Sequence, residues 1–113
     1  MSVASLVPDP SVLFSLKAAE VGAILLEYLH NLPPNERLKF LRTNIIREEA
    51  LLEYPRNERS LAARIFSEGW VWLQREEMIA PEPGDNYSMS FFITRRGENL
   101  RTREHVAAFM PNV

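Results

Sequence analysis

The stretch "MIAPEPGDNYSMSFFITRRGENL", Met78 to Leu100, decides how this chain is read. Met78-Ile79-Ala80 is short and extended, and "PEPGDN" is built from turn residues. The run that follows alternates. Tyr87, Met89, Phe91 and Ile93 face one way, while Ser88, Ser90, Phe92 and Thr94 face the other. Two extended segments joined by such a loop predict a β-hairpin. Its second strand runs straight into Thr94-Arg95-Arg96-Gly97. The Thr94 hydroxyl is suited to cap the next turn, and Gly97 leaves room for another backbone to pass close by.

Upstream of the hairpin the pattern is helical. Asp9-Pro10 is a helix-start signal, a carboxylate that can cap followed by proline at the first helical position. Leu13, Leu16, Val21, Ile24, Leu25, Tyr28 and Leu29 recur in steps of three and four, which predicts one helix over roughly residues 11–30. "HNLPPNE" stops it, and Asn35 is placed to cap a short second helix over about 35–43. Residues 44–55 read either as another short helix or as a turn with a strand at Asn44-Ile45-Ile46. The strongest helix follows "YPRNERS", with Asn57 or Ser60 as its cap. Leu61, Ala62, Ile65, Phe66, Gly69, Trp72 and Leu73 form its stripe, Trp70 flanks it, and it ends near Glu77. Gly69 inside that helix costs about 1 kcal/mol relative to alanine, so a close backbone approach is the reason to expect it there.

Composition sets the bounds. The 113 residues fit one domain, and a hydrophobic share of 46% supports a core without staples. Cysteine is absent, which excludes disulfides, thiolate catalysis and thiolate metal sites. The apolar tracts are too short to span a bilayer, and the N-terminus has no basic residue before its apolar part, so no membrane association and a cytoplasmic setting are expected. The formal net charge of −2 does not favour bulk attraction to nucleic acid, but charge is local. Residues 47–53 hold three carboxylates and one arginine, whereas residues 95–103 hold four arginines and one glutamate. Arginine is the basic type suited to bidentate phosphate contact.

The order helix, helix, helix, hairpin predicts an α+β winged helix-turn-helix, a three-helix core carrying a two-stranded β-wing. The expected organisation is an N-terminal arm over 1–10, the winged domain over 11–100, and the start of a linker over 101–113 leading to a further domain. Phe91-Phe92-Ile93-Thr94-Arg95-Arg96-Gly97-Glu98-Asn99-Leu100 matches a strand ending common in bacterial winged helices. Residues 60–111 resemble the N-terminal region of a bacterial family called Ymh or abortive-infection-like. Glu68, Trp70, Trp72, Leu73, Ile79, Phe92, Thr94, Arg95, Arg96, Gly97, Thr102 and Pro111 carry that resemblance. Gly69 stands where alanine is common, and Glu77 stands where the pattern has the helix-ending glycine. The resemblance implies a defence-type protein in which a helical domain, suggested to cut RNA, follows this module. Arg101 to His105 is too closely spaced to be that domain's Arg-x4–6-His signature.

No catalytic constellation is visible, and no metal site or cofactor is expected. His30 and His105 are isolated, there is no phosphate loop or nucleophile motif, and the paired glutamates 48–49 and 76–77 point about 100° apart if helical. A non-catalytic recognition module is the expectation. In a winged helix the third helix enters the major groove. Arg56, Asn57, Arg59, Ser60 and Arg64 at its start, and Arg95 and Arg96 at the wing base, are the expected nucleic-acid contacts. Glu58, Glu68 and the acidic 47–53 segment oppose them. The alternative is a docking or dimerisation module without nucleic-acid contact, using Trp70 and Phe92 as exposed aromatics.

Overall fold

A computed structural model describes residues 2–84, 89–100 and 104–106, and shows an α+β protein with a small antiparallel sheet. The helices are α1 (Pro10–Phe14), α2 (Ala18–His30), α3 (Pro34–Arg37), α4 (Arg42–Ile46), α5 (Arg59–Arg75) and α6 (Arg95–Glu98). The strands are β1 (Phe40–Leu41), β2 (Ile79–Pro81) and β3 (Ser90–Ile93). Their order in the sheet is β1-β3-β2, with all pairs antiparallel. This arrangement is compatible with a winged helix. The hairpin tip at 85–88 and the expected linker, apart from 104–106, lie outside the described residues.

The expected single helix over 11–30 is two. Asp9 caps α1 by accepting from the Ser11 backbone N–H at 2.9 Å, and the chain then breaks at Ser15–Lys17. A new helix starts because Glu20 accepts the Lys17 backbone N–H at 2.9 Å, which satisfies a donor the first turn leaves open. The first residues are not loose: Val3, Ala4 and Val7 are buried, and the Tyr54 hydroxyl donates to the Val7 carbonyl at 2.7 Å.

The expected helix over 35–43 is also corrected. α3 stops at Arg37, and Phe40–Leu41 instead form a third strand, so the sheet is not the two-stranded wing read from sequence. Phe40 pairs with Phe91 across the strands. Both rings meet Trp70 edge-on, at centroid distances of 5.9 and 5.1 Å. That T-shaped arrangement ties β1 and β3 to α5 through one buried indole. Of the two readings for 44–46, helix is correct.

α2 and α5 pack along each other, and glycines set how close they come. A Cβ on Gly69 would sit 2.6 Å from Val21 Cγ1 and 2.9 Å from the Gly22 backbone nitrogen. The missing Cβ of Gly69 is thus the condition for this crossing, and its low helix propensity is the cost. The α5 cap differs from expectation. Glu58 holds the N-cap position without a side-chain bond, and neither Asn57 nor Ser60 caps.

The other end of α5 resolves the Glu77 question. The helix closes with a two-bond left-handed cap, Met78 N–H to Leu73 O at 2.9 Å and Glu77 N–H to Gln74 O at 3.0 Å. Glu77 takes φ +61, the only described non-glycine residue with positive φ. Leu73 and Met78, the apolar pair that accompanies such a cap, are both fully buried.

Candidate nucleic-acid interface

The Thr94-Arg95-Arg96-Gly97 run is a corner. Thr94 N–H donates to the Met78 carbonyl at 3.0 Å, and its hydroxyl donates to the Glu77 carbonyl at 2.6 Å while accepting from Gly97 N–H at 3.1 Å. Any Cβ on Gly97 would fall on the Met78 carbonyl oxygen and 2.8 Å from Ile93 Cγ2. The buried His30 ring bonds the Gly97 carbonyl at 2.9 Å, which locks α6 to α2 as well. The motif therefore joins the hairpin to the end of α5.

The arginines inside it divide. Arg96, expected to hold phosphate, is exposed and lies 3.6 Å from the Glu76 carboxylate, an ion pair that links α6 to the end of α5. Arg95 is exposed and its side chain has no partner among the described residues.

The residues at the start of α5 also divide. Arg59 is half-buried, donating from Nε to the Tyr54 carbonyl at 3.0 Å and from a terminal nitrogen to the Leu52 carbonyl at 3.3 Å. It is a strut that closes the loop before the helix, which the sequence did not anticipate. Arg56 and Asn57 are exposed on a 3-10 turn, Arg56–Glu58, that leads into α5. Ser60 and Arg64 are exposed on the first turns. α5 has 17 residues, a length of about 25 Å. Arg95 and Arg96 stand at its far end, so the structure does not gather the predicted contacts into one patch.

What it does gather is the outer face of α5. Ser60, Arg64, Glu68, Val71 and Arg75 are exposed at three- and four-residue steps, opposite the buried Ala62, Phe66, Gly69, Trp70 and Leu73. With Ala63, Ser67 and Trp72 they line an open groove of about 700 Å³, walled by Ala18 on one side and Glu48 on another. Arg64 and Arg75 supply positive charge, and Glu48 and Glu68 oppose it. Arg75 is the residue that sequence reading missed. Its signal was the complement of the apolar stripe, since counting three and four from Ser60 reaches it.

The aromatic alternative changes too. Trp70 has no exposed surface, so its assignment to a partner site is corrected to core. Phe92 is half-buried opposite Ala80. No helix among the described residues is long and apolar enough to cross a membrane. No protein-family model, curated protein or solved structure matches this chain, so the site rests on its geometry.

Proposed function

We propose that this chain is a non-catalytic winged helix-turn-helix module that contacts nucleic acid through the outer face of α5, within a bacterial defence-type or regulatory protein. The order α2, β1, α4, α5, β2, β3 supports the winged reading, because β1 and the hairpin flank the helix that would read a groove. The observation that carries the function is the uncovered α5 face with Arg64 and Arg75 on it and Arg56 and Asn57 at its N-terminal end. A major groove about 12 Å wide admits the first turns of such a helix, where Asn57, Ser60 and Arg64 would meet base edges. Arg56 and Arg75 would hold phosphate, and Arg64 would reach a phosphate as well as a base edge. Glu48 and Glu68 limit affinity and make orientation selective.

The test is fluorescence anisotropy of labelled duplex DNA and single-stranded RNA at several salt concentrations. About three phosphate contacts on duplex give a log–log salt slope near −2.7, roughly a 40-fold loss of affinity between 50 and 200 mM. The double change Arg64→Ala and Arg75→Ala should flatten that slope by about two contacts, while Arg96→Ala leaves it unchanged. Absence of binding to either probe at low salt, or a slope that ignores Arg64 and Arg75, overturns the reading.

A further inference from the structure

Phosphate contact accounts for the arginines on the outer face of α5 but not for its other residues. Val71 is 52% exposed on that face, one turn beyond Ser67 and Glu68 and one turn before Arg75. Ala18 and Ala63 line the same groove with it. Glu48 and Glu68 stand there too, and a carboxylate repels phosphate. A surface that only grips a sugar–phosphate backbone gains nothing from an exposed valine or from carboxylates.

Two kinds of nucleic acid fit this face poorly. Single strands are held largely by bases stacked on exposed aromatic rings. Among the described residues that line the groove the aromatic is Trp72, and at 8% exposure it leaves almost no ring surface to stack on. Double-stranded RNA has a deep, narrow major groove that side chains do not read. The major groove of B-form DNA is about 12 Å wide and admits a helix, and thymine displays its C5-methyl group there. Uracil has no such methyl.

We infer that the ligand of this face is duplex DNA whose site contains a thymine, and that Val71 is a specificity-determining residue that packs on the thymine C5-methyl. The inference rests on the reading of the α5 face as a nucleic-acid contact and adds which nucleic acid and which base. Along the helix axis Arg64 lies about 10 Å before Val71 and Arg75 about 6 Å after it. A base edge therefore meets Val71 while the arginines reach phosphates on either side. Glu68, one turn before Val71, is placed to accept from a cytosine N4 amino group at a neighbouring step.

The test selects a strong binder from a randomised duplex DNA pool. Fluorescence anisotropy then compares that duplex with a copy carrying uracil in place of thymine, which differs only by the missing methyls. Loss of one buried methyl should weaken binding about fourfold. Val71→Ala should bind the thymine duplex more weakly and bring the thymine-to-uracil ratio towards one, with Tm close to the wild type because the side chain is exposed. A change of DNA shape caused by uracil would leave that ratio intact in the variant. Equal affinity for the two copies, or a ratio that Val71→Ala does not move, overturns the inference and leaves nucleic-acid contact standing. Single-stranded RNA bound more tightly than the selected duplex has the same consequence. No binding to duplex DNA or to RNA overturns the reading of the face itself, and the inference with it.

Discussion

Two regions of this molecule carry arginines beside a helix, and they behave in opposite ways. At the Thr94 corner the backbone and most side chains are partnered, with the exposed Arg95 the exception. Thr94 bonds Glu77, Met78 and Gly97, His30 bonds Gly97, and Arg96 pairs with Glu76. On the outer face of α5, Arg64 and Arg75 stand over an open groove. The region with the recognisable motif is architecture, and the face with no motif is where a ligand has room. Dense charge next to a motif is therefore a poor guide to function unless the fold leaves the charge unoccupied.

The sharpest way to break this contrast is Gly97→Ala. Gly97 has helical backbone within α6, so the only thing it provides is a missing Cβ where the Met78 carbonyl lies. The substitution should cost about 3 kcal/mol, and thermal melting should fall by roughly 12 °C. A loss below about 1 kcal/mol would mean the corner can relax, and the closed description would fail.

Tyr54→Phe comes next, at about 1–2 kcal/mol, because it strands the Val7 carbonyl that the hydroxyl now serves. The same bond has a pH signature. Burial, then the nearby Glu53 charge, push the Tyr54 hydroxyl up to about 12 from an ordinary 10.0. The fold favours the neutral phenol. Its contribution is complete below pH 10 and is lost as pH rises from about 10 towards 12. Denaturant melts across that window should show the wild type losing stability and Tyr54→Phe losing less.

A smaller effect of opposite sign is expected at Glu77. Glycine adopts φ +61 without the Cβ penalty, so Glu77→Gly should stabilise by about 1 kcal/mol in a denaturant titration. Unchanged stability would show that the left-handed cap costs nothing here. Smallest of all, Arg64→Ala with Arg75→Ala should leave stability within about 0.5 kcal/mol, since neither side chain is buried. A larger loss would show that the α5 face is architecture too, and the contrast would collapse.

Much of the fold was legible because it follows from local periodicity. The α5 stripe, the β2–β3 pairing and the Thr94 cap each follow from nearby residues and each is present, although Leu61, expected in the stripe, is exposed and Trp70, expected at its flank, is fully buried. β1 was not legible. Phe40–Leu41 is two residues long, and its strand character comes from pairing with Phe91 and Ser90 some fifty positions away. The break between α1 and α2 was hidden by an apolar spacing that continues through it, and the Glu20 carboxylate that restarts the helix looked like surface charge. Of the candidate site residues, the sequence could give position but not bonding: Ser60 and Arg64 are exposed on α5 and Asn57 on the turn before it, while Arg59 and Arg96 have partners within the protein.

By itself the sequence determined which segments turn, which alternate and which bury one helical face, because period, turn chemistry and capping act over a few residues. Only the tertiary structure decided that Trp70 is clasped between Phe40 and Phe91, that Gly69 admits α2, and which arginines remain available. Availability is a property of neighbours brought together from distant parts of the chain. An isolated arginine in a sequence is always a donor in search of an acceptor, and the fold determines whether it has already found one.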